Sequence, residues 1–151
     1  SNRDFLCIRL NIEHGGVAMT VIRSKDVVTI NDLSEEKRSS DGPSVLEAIE
    51  GFQGYAERTL IDKKVSQEIS LGDCVFEPGA VVPSHRHDVE EAFYVFEGTG
   101  TAVVNDEEFE VSVGDALHIP RGARHSFRNE SGRPWRMVFT YSALEATTIF
   151  D

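Results

Sequence analysis

The stretch Gly79-Ala80-Val81-Val82-Pro83-Ser84-His85-Arg86-His87-Asp88-Val89-Glu90-Glu91-Ala92-Phe93-Tyr94-Val95-Phe96-Glu97-Gly98 decides how this chain is read. His85 and His87 stand two positions apart, so in a strand both imidazoles leave one face and can reach a common point. Asp88-Val89-Glu90 is long enough to turn the chain, and Glu91 then opens an apolar run from which a carboxylate can return to that point. Parity favours Glu91 over Glu90: Glu91 shares a face with Phe93 and Val95, Glu90 with Ala92, Tyr94 and Phe96. A fourth donor has to come from elsewhere. The later run Gly114, five residues, Pro120-Arg121-Gly122, two residues, His125, three residues, Asn129 supplies a candidate. The metal-ligand set read from the sequence is therefore His85, His87, Glu91 and His125.

At these residues the chain resembles the cupin superfamily. Its first motif is a glycine, five residues, His-x-His, three or four residues, Glu, six residues and a glycine. Its second is a glycine, five residues, Pro-x-Gly, two residues, His, three residues and Asn. Every defined position is present between Gly79 and Asn129. The resemblance implies an all-β fold, an antiparallel jelly-roll β-barrel holding one divalent metal. It does not imply one reaction, because that superfamily spans dioxygenases, decarboxylases, isomerases, lyases, sugar-binding regulators and storage proteins.

The rest of the chain fits around that barrel. A length of 151 residues favours one core, and we expect residues 1–18 to form an extension with a strand and residues 19–151 a single barrel domain. A net charge of −11 and a pI near 4.8 repel phosphate backbones and anionic lipid, so neither nucleic acid nor membrane is expected as a partner. No apolar run is long enough to span a bilayer and the amino end lacks a signal-peptide pattern, so a cytoplasmic location is expected. Cys7 and Cys74 form no Cys-x-x-Cys pair and read as two free, buried thiols.

Along the chain, Leu6, Ile8, Leu10 and Ile12 alternate with polar positions and stop at His14-Gly15-Gly16, a strand and a turn; His14 reads as an exposed turn histidine. Residues 31–54 turn to polar residues, glycine and Pro43 and are expected to form a loop, either a solvated connection or a lid, in the N-terminal third, within which Ser44 through Glu50 can form a short helix. Thr59 to Ile61 and Val65 to Phe76 are strand material broken at Gly72-Asp73. Further strands are expected at Thr101 to Val104, Phe109 to Val113, Ala116 to Ile119, around His125, and at Trp135 to Tyr141, where the barrel can close. Ser142 to Asp151 reads as a tail folded over another surface.

Three imidazoles and one carboxylate suit Mn, Fe, Co, Ni, Zn or Cu and are too nitrogen-rich for Mg or Ca. Four protein ligands on an octahedral ion leave two positions, at which a small oxyanion or polyol could chelate. Two readings follow. One is a metal-dependent enzyme acting on such a substrate, its chemistry undecided among dioxygenase, decarboxylase, lyase and isomerase; the other is a ligand-binding or sensor protein without turnover. His118 reads as a hydrogen-bonded strand histidine before an acid or base at the barrel mouth, and Arg121, Arg124, Arg128, Arg133 and Arg136 as strand arginines paired with surface carboxylates before a local carboxylate or phosphate site. The apolar outer positions Tyr94 and Phe96 call for cover by a second subunit, hence a homodimer.

Overall fold

The computed structural model describes residues 53–150 and the backbone of two short strands, β1 (Ile8–Leu10) and β2 (Met19–Val21), which pair antiparallel with Ile8 opposite Val21. Three residues of the expected Leu6 to Ile12 strand are thus seen. Cys7, His14, the Ser44 to Glu50 helix and most of the 31–54 insertion lie outside the described residues.

Nine further strands form one antiparallel sheet: β3 (Gln53–Ile61), β4 (Leu71–His87), β5 (Glu91–Glu97), β6 (Thr99–Val104), β7 (Glu107–Ser112), β8 (Ala116–Ile119), β9 (His125–Arg128), β10 (Trp135–Tyr141) and β11 (Thr148–Phe150). The order is β7-β6-β9-β4-β10-β5-β8, with β3 and β11 also on β4. No described residue is helical. This is the all-β jelly-roll architecture read from the motifs.

The 17-residue β4 is the spine, pairing with β3 and β10 along its first half and with β9 and β11 along its second. Gly72-Asp73 lies inside this strand and does not break it. A Cβ on Gly72 would stand 2.2 Å from the Phe139 ring and 2.6 Å from the Arg58 carbonyl, so the glycine admits a close approach of its neighbours. Asp73 pairs across the sheet with Arg58. Strand structure is also absent from Val65 to Ser70, and β3 begins at Gln53 rather than Thr59.

One bulge sets the phase of the site. Val82 pairs with Phe127 and His85 with His125, so three steps on β4 meet two on β9. Without the extra residue at Pro83-Ser84 the face carrying Cys74, Phe76, Ala80 and Val82 would continue through Ser84 and Arg86; with it, His85 and His87 turn inward. The core they join is Phe76, Phe93, Val95, Phe127, Trp135, Met137 and Phe139. Fully buried Asn129 ties the turn after β4's first half to the loop after β9, donating from Nδ2 to the Phe76 and Arg133 carbonyls at 2.7 Å each.

Candidate metal centre

His85 and His87 come from the end of β4, Glu91 from the start of β5 and His125 from the start of β9. All four are buried, with side-chain donor atoms of the three histidines within 4.8 Å of one another. Glu91 Oε2 lies 3.2 Å from His87 Nε2 and 3.3 Å from His125 Nε2. The parity argument holds: Glu91, Phe93 and Val95 are buried, while Tyr94 and Phe96 face outward.

The histidines are held with their Nε2 atoms inward. Nδ1 of His85 lies 2.8 Å from the Pro83 carbonyl and Nδ1 of His125 2.9 Å from the Ala123 carbonyl. A carbonyl only accepts, so Nδ1 carries the hydrogen and the neutral ring keeps its lone pair on Nε2. His87 Nδ1 is 3.2 Å from Thr148 Oγ1 on β11. Burial, and then the neighbouring His125, push the His85 pKa from 6.5 down to about 4, which keeps that ring neutral.

This arrangement brings acceptors face to face. His125 Nε2 and Glu91 Oε2 are both buried, and neither has a hydrogen-bond partner. A lone pair opposite a carboxylate at 3.3 Å is repulsive unless something positive lies between them. Donors about 2.1 Å from a shared ion stand about 3.0 Å apart at right angles and about 3.4 Å apart on a tetrahedron, which brackets the 3.2 and 3.3 Å separations. The residues present fit a divalent ion.

Above the imidazoles is a cavity of about 70 Å³, walled by Phe76, Val82, Phe93, Phe127 and Phe150 and edged by Tyr55, Glu57, Tyr141 and Thr148. One water needs about 10–15 Å³ measured this way, so there is room for several waters or the reacting end of a larger molecule. Tyr141 packs edge-on against His87 at 5.2 Å, and burial, followed by the Glu91 charge, raises its phenol pKa. The tail does fold over something: β11 pairs with His85 to His87, and Phe150 lies against the His85 ring at 5.7 Å.

Other sequence candidates lie outside the cavity. His118 is exposed and 3.2 Å from Glu90 Oε2. Arg128 pairs with Glu108 and Glu130, and Arg136 with Glu97, all on the surface. Cys74 is buried and free. The residues that sequence reading missed are Tyr55 and Glu57. Their one signal was a shared face in β3, opposite the face of Ala56 and Arg58.

A family model described as a cupin domain matches residues 72–141. The chain is 36% identical over 129 residues to the tetracenomycin polyketide synthase protein TcmJ of Streptomyces glaucescens, covering 83% of each protein. Among solved structures, the polyketide cyclase RemF from Streptomyces resistomycificus superposes with a TM-score of 0.59 at 28% identity, over 67% of this chain and 75% of that one. A cupin-2 domain protein from Rhodospirillum rubrum superposes with a TM-score of 0.61 at 19% identity, over 67% and 68%, a likeness of fold alone. No helix among the described residues is long and apolar enough to cross a membrane.

Proposed function

This chain belongs to the cupin family, and on that premise we propose that it is a metal-dependent enzyme acting on a carbonyl-bearing oxyanion of the polyketide kind. The observation that carries the metal is the pair of buried acceptors, His125 Nε2 and Glu91 Oε2, facing one another without a hydrogen. What supports the substrate class is the polyketide function named for both TcmJ and RemF, together with a small cavity that is apolar on its walls and polar at its floor.

His85, His87, His125 and Glu91 would hold the ion. A transition-metal ion there supplies Lewis acidity toward a substrate oxygen. The chain's own part is to orient and to exclude water. The carbonyls of Pro83 and Ala123 hold two of the rings in one tautomer. Phe93 and Phe127 form a rigid wall, packed edge to face at 5.2 Å. Thr148 and Phe150 cover the histidines from the β11 side.

Protein purified without a metal-affinity tag should contain one transition-metal ion per chain, and His87→Ala should strip most of it. With Mn²⁺ loaded, oxalate should lower the enhanced water relaxation without removing the ion on dialysis, because a bidentate oxyanion replaces waters and leaves the protein donors in place. Full metal occupancy in His87→Ala, or a loaded protein with neither exchangeable water nor oxalate binding, would end this reading.

A further inference from the structure

Strand β3 sends Tyr55 and Glu57 from one face into the cavity. Glu57 lies opposite Cys74, and Cys74 opposite Met137, so the carboxylate sits in a row of apolar neighbours. Glu57 is half-buried and lines this cavity, and it also borders a second one beside Arg58 and Arg136. The Tyr55 hydroxyl donates to Oε2 at 2.5 Å, which leaves Oε1 for another partner. The nearest cation in sequence, Arg58, points to the opposite face and pairs with Asp73. The titratable groups that face Glu57 are Tyr55 on β3, Cys74 and His87 on β4, Glu91 on β5 and Tyr141 on β10, and none of them is a fixed cation. Burial raises its pKa first, and Glu91 adds to this; the Tyr55 hydrogen bond and His87 act the other way, and the net shift is upward. Neither Glu57 nor Glu91 belongs to the three-histidine donor cluster, but Glu91 lies within 3.3 Å of two of its imidazole nitrogens.

We infer that Glu57 is the proton-transfer residue of this cavity, aimed by Tyr55, and that the substrate is a carbon acid next to a carbonyl with a second oxygen in chelating reach. The inference rests on the enzymatic reading above and narrows it to enolisation chemistry. In the step, an oxygen of Glu57 takes a proton from the substrate carbon. The C–H bond breaks, an O–H bond forms on Glu57, and the electron pair stays on the substrate as its enolate. The O–H on Glu57 exchanges with solvent water, and Glu57 then returns a proton to the enolate carbon and restores its C–H bond, so no oxidant or co-reactant is consumed. Glu57 touches the substrate, and Tyr55 is a positioning residue.

Pyruvate is the probe, since its six heavy atoms suit the cavity and its methyl group is a carbon acid beside a carbonyl and a carboxylate. Zinc-loaded protein in D₂O should catalyse deuterium uptake into that methyl group, read by proton NMR. Glu57→Gln should lower the exchange by about 100-fold or more, with zinc content and the calorimetric affinity for pyruvate each within about twofold of wild type. Tyr55→Phe keeps the carboxylate and should retain measurable exchange, with the acid limb of its pH profile moved upward, because the lost hydrogen bond is one that lowers the Glu57 pKa. Exchange within threefold of wild type in Glu57→Gln overturns the inference, as does loss of zinc in that variant, which would make Glu57 a ligand. A zinc-loaded wild type that exchanges no deuterium overturns it too. Failure of wild type to bind zinc at all sinks the metal-enzyme reading instead, so the two failures are told apart.

Discussion

Replacing Glu91 with Gln should move stability in opposite directions in the metal-free and metal-loaded protein. One oxygen of Glu91 faces two imidazole nitrogens, at 3.2 and 3.3 Å, with no hydrogen between it and the buried His125 Nε2. A Gln amide nitrogen in that place carries two hydrogens, one for each ring. At pH 8.5, above the ordinary imidazole value of about 6.5, the metal-free wild type leaves buried acceptors unsatisfied at about 1–3 kcal/mol. Glu91→Gln should recover about 2 kcal/mol of this, which for a chain of this size raises Tm by about 6 °C.

With metal the sign reverses. An ion at about 1,000 times its Kd stabilises wild type by about 4 kcal/mol. Loss of the anionic donor should weaken binding by at least about 100-fold, or about 2.7 kcal/mol, so most of the metal-induced rise in Tm should vanish. The assay is thermal unfolding of both proteins, after chelator treatment and again with excess Zn²⁺ or Mn²⁺. A variant that is less stable without metal and shows the wild-type metal shift would refute both the facing lone pairs and the place of Glu91 among the ligands.

Three further outcomes are expected. Metal-free protein should lose about 3 kcal/mol as pH falls from 6.5 towards 4 on account of His85, because its folded pKa is depressed to about 4 and the unfolded chain binds the proton first; urea titrations across that range should show a loss that His85→Gln abolishes, and an equal loss in the variant would exclude His85 as the source. Tyr94 and Phe96 are 51% and 45% exposed, and we propose a second copy of the chain as their cover, so wild type should be a dimer by light scattering and Tyr94→Ser with Phe96→Ser a monomer; monomeric wild type at micromolar concentration would remove the proposal. Phe150→Ala takes away the ring that lies 5.7 Å from the His85 ring, and a chelator should then extract the metal several-fold faster, whereas an unchanged rate would mean that β11 does not cover the site.

The sequence was most informative where a spacing maps onto a geometry that needs no knowledge of the partner strand. His85 and His87 share a face because strands have a period of two, and the adjacent Glu90 and Glu91 separate for the same reason, one meeting His118 on the surface and the other the buried imidazoles. Asn105-Asp106 reads as a turn, and both residues adopt positive φ, at 48° and 69°, as a tight hairpin turn requires. What stayed hidden depends on register. The bulge at Pro83-Ser84 decides that the histidine face is the inner one, and it exists only relative to β9. Gly72-Asp73 carries the composition of a turn, yet the glycine is there because the Phe139 ring needs its space, which only the pairing of β4 with β10 makes plain.

Glu57 is the sharpest case. In the run Tyr55-Ala56-Glu57-Arg58 a glutamate beside an arginine looks like half of a surface ion pair, but neighbours in a strand point to opposite faces and cannot serve one another. The residues that share the face of Glu57 are Tyr55 and Thr59, and Arg58 is already matched with Asp73 on the other side. A carboxylate whose same-face neighbours on its strand are a tyrosine and a threonine, with no cation among them, has to be either solvated or placed in a cavity, and the pairing of Glu57 with buried Cys74 decides for the cavity.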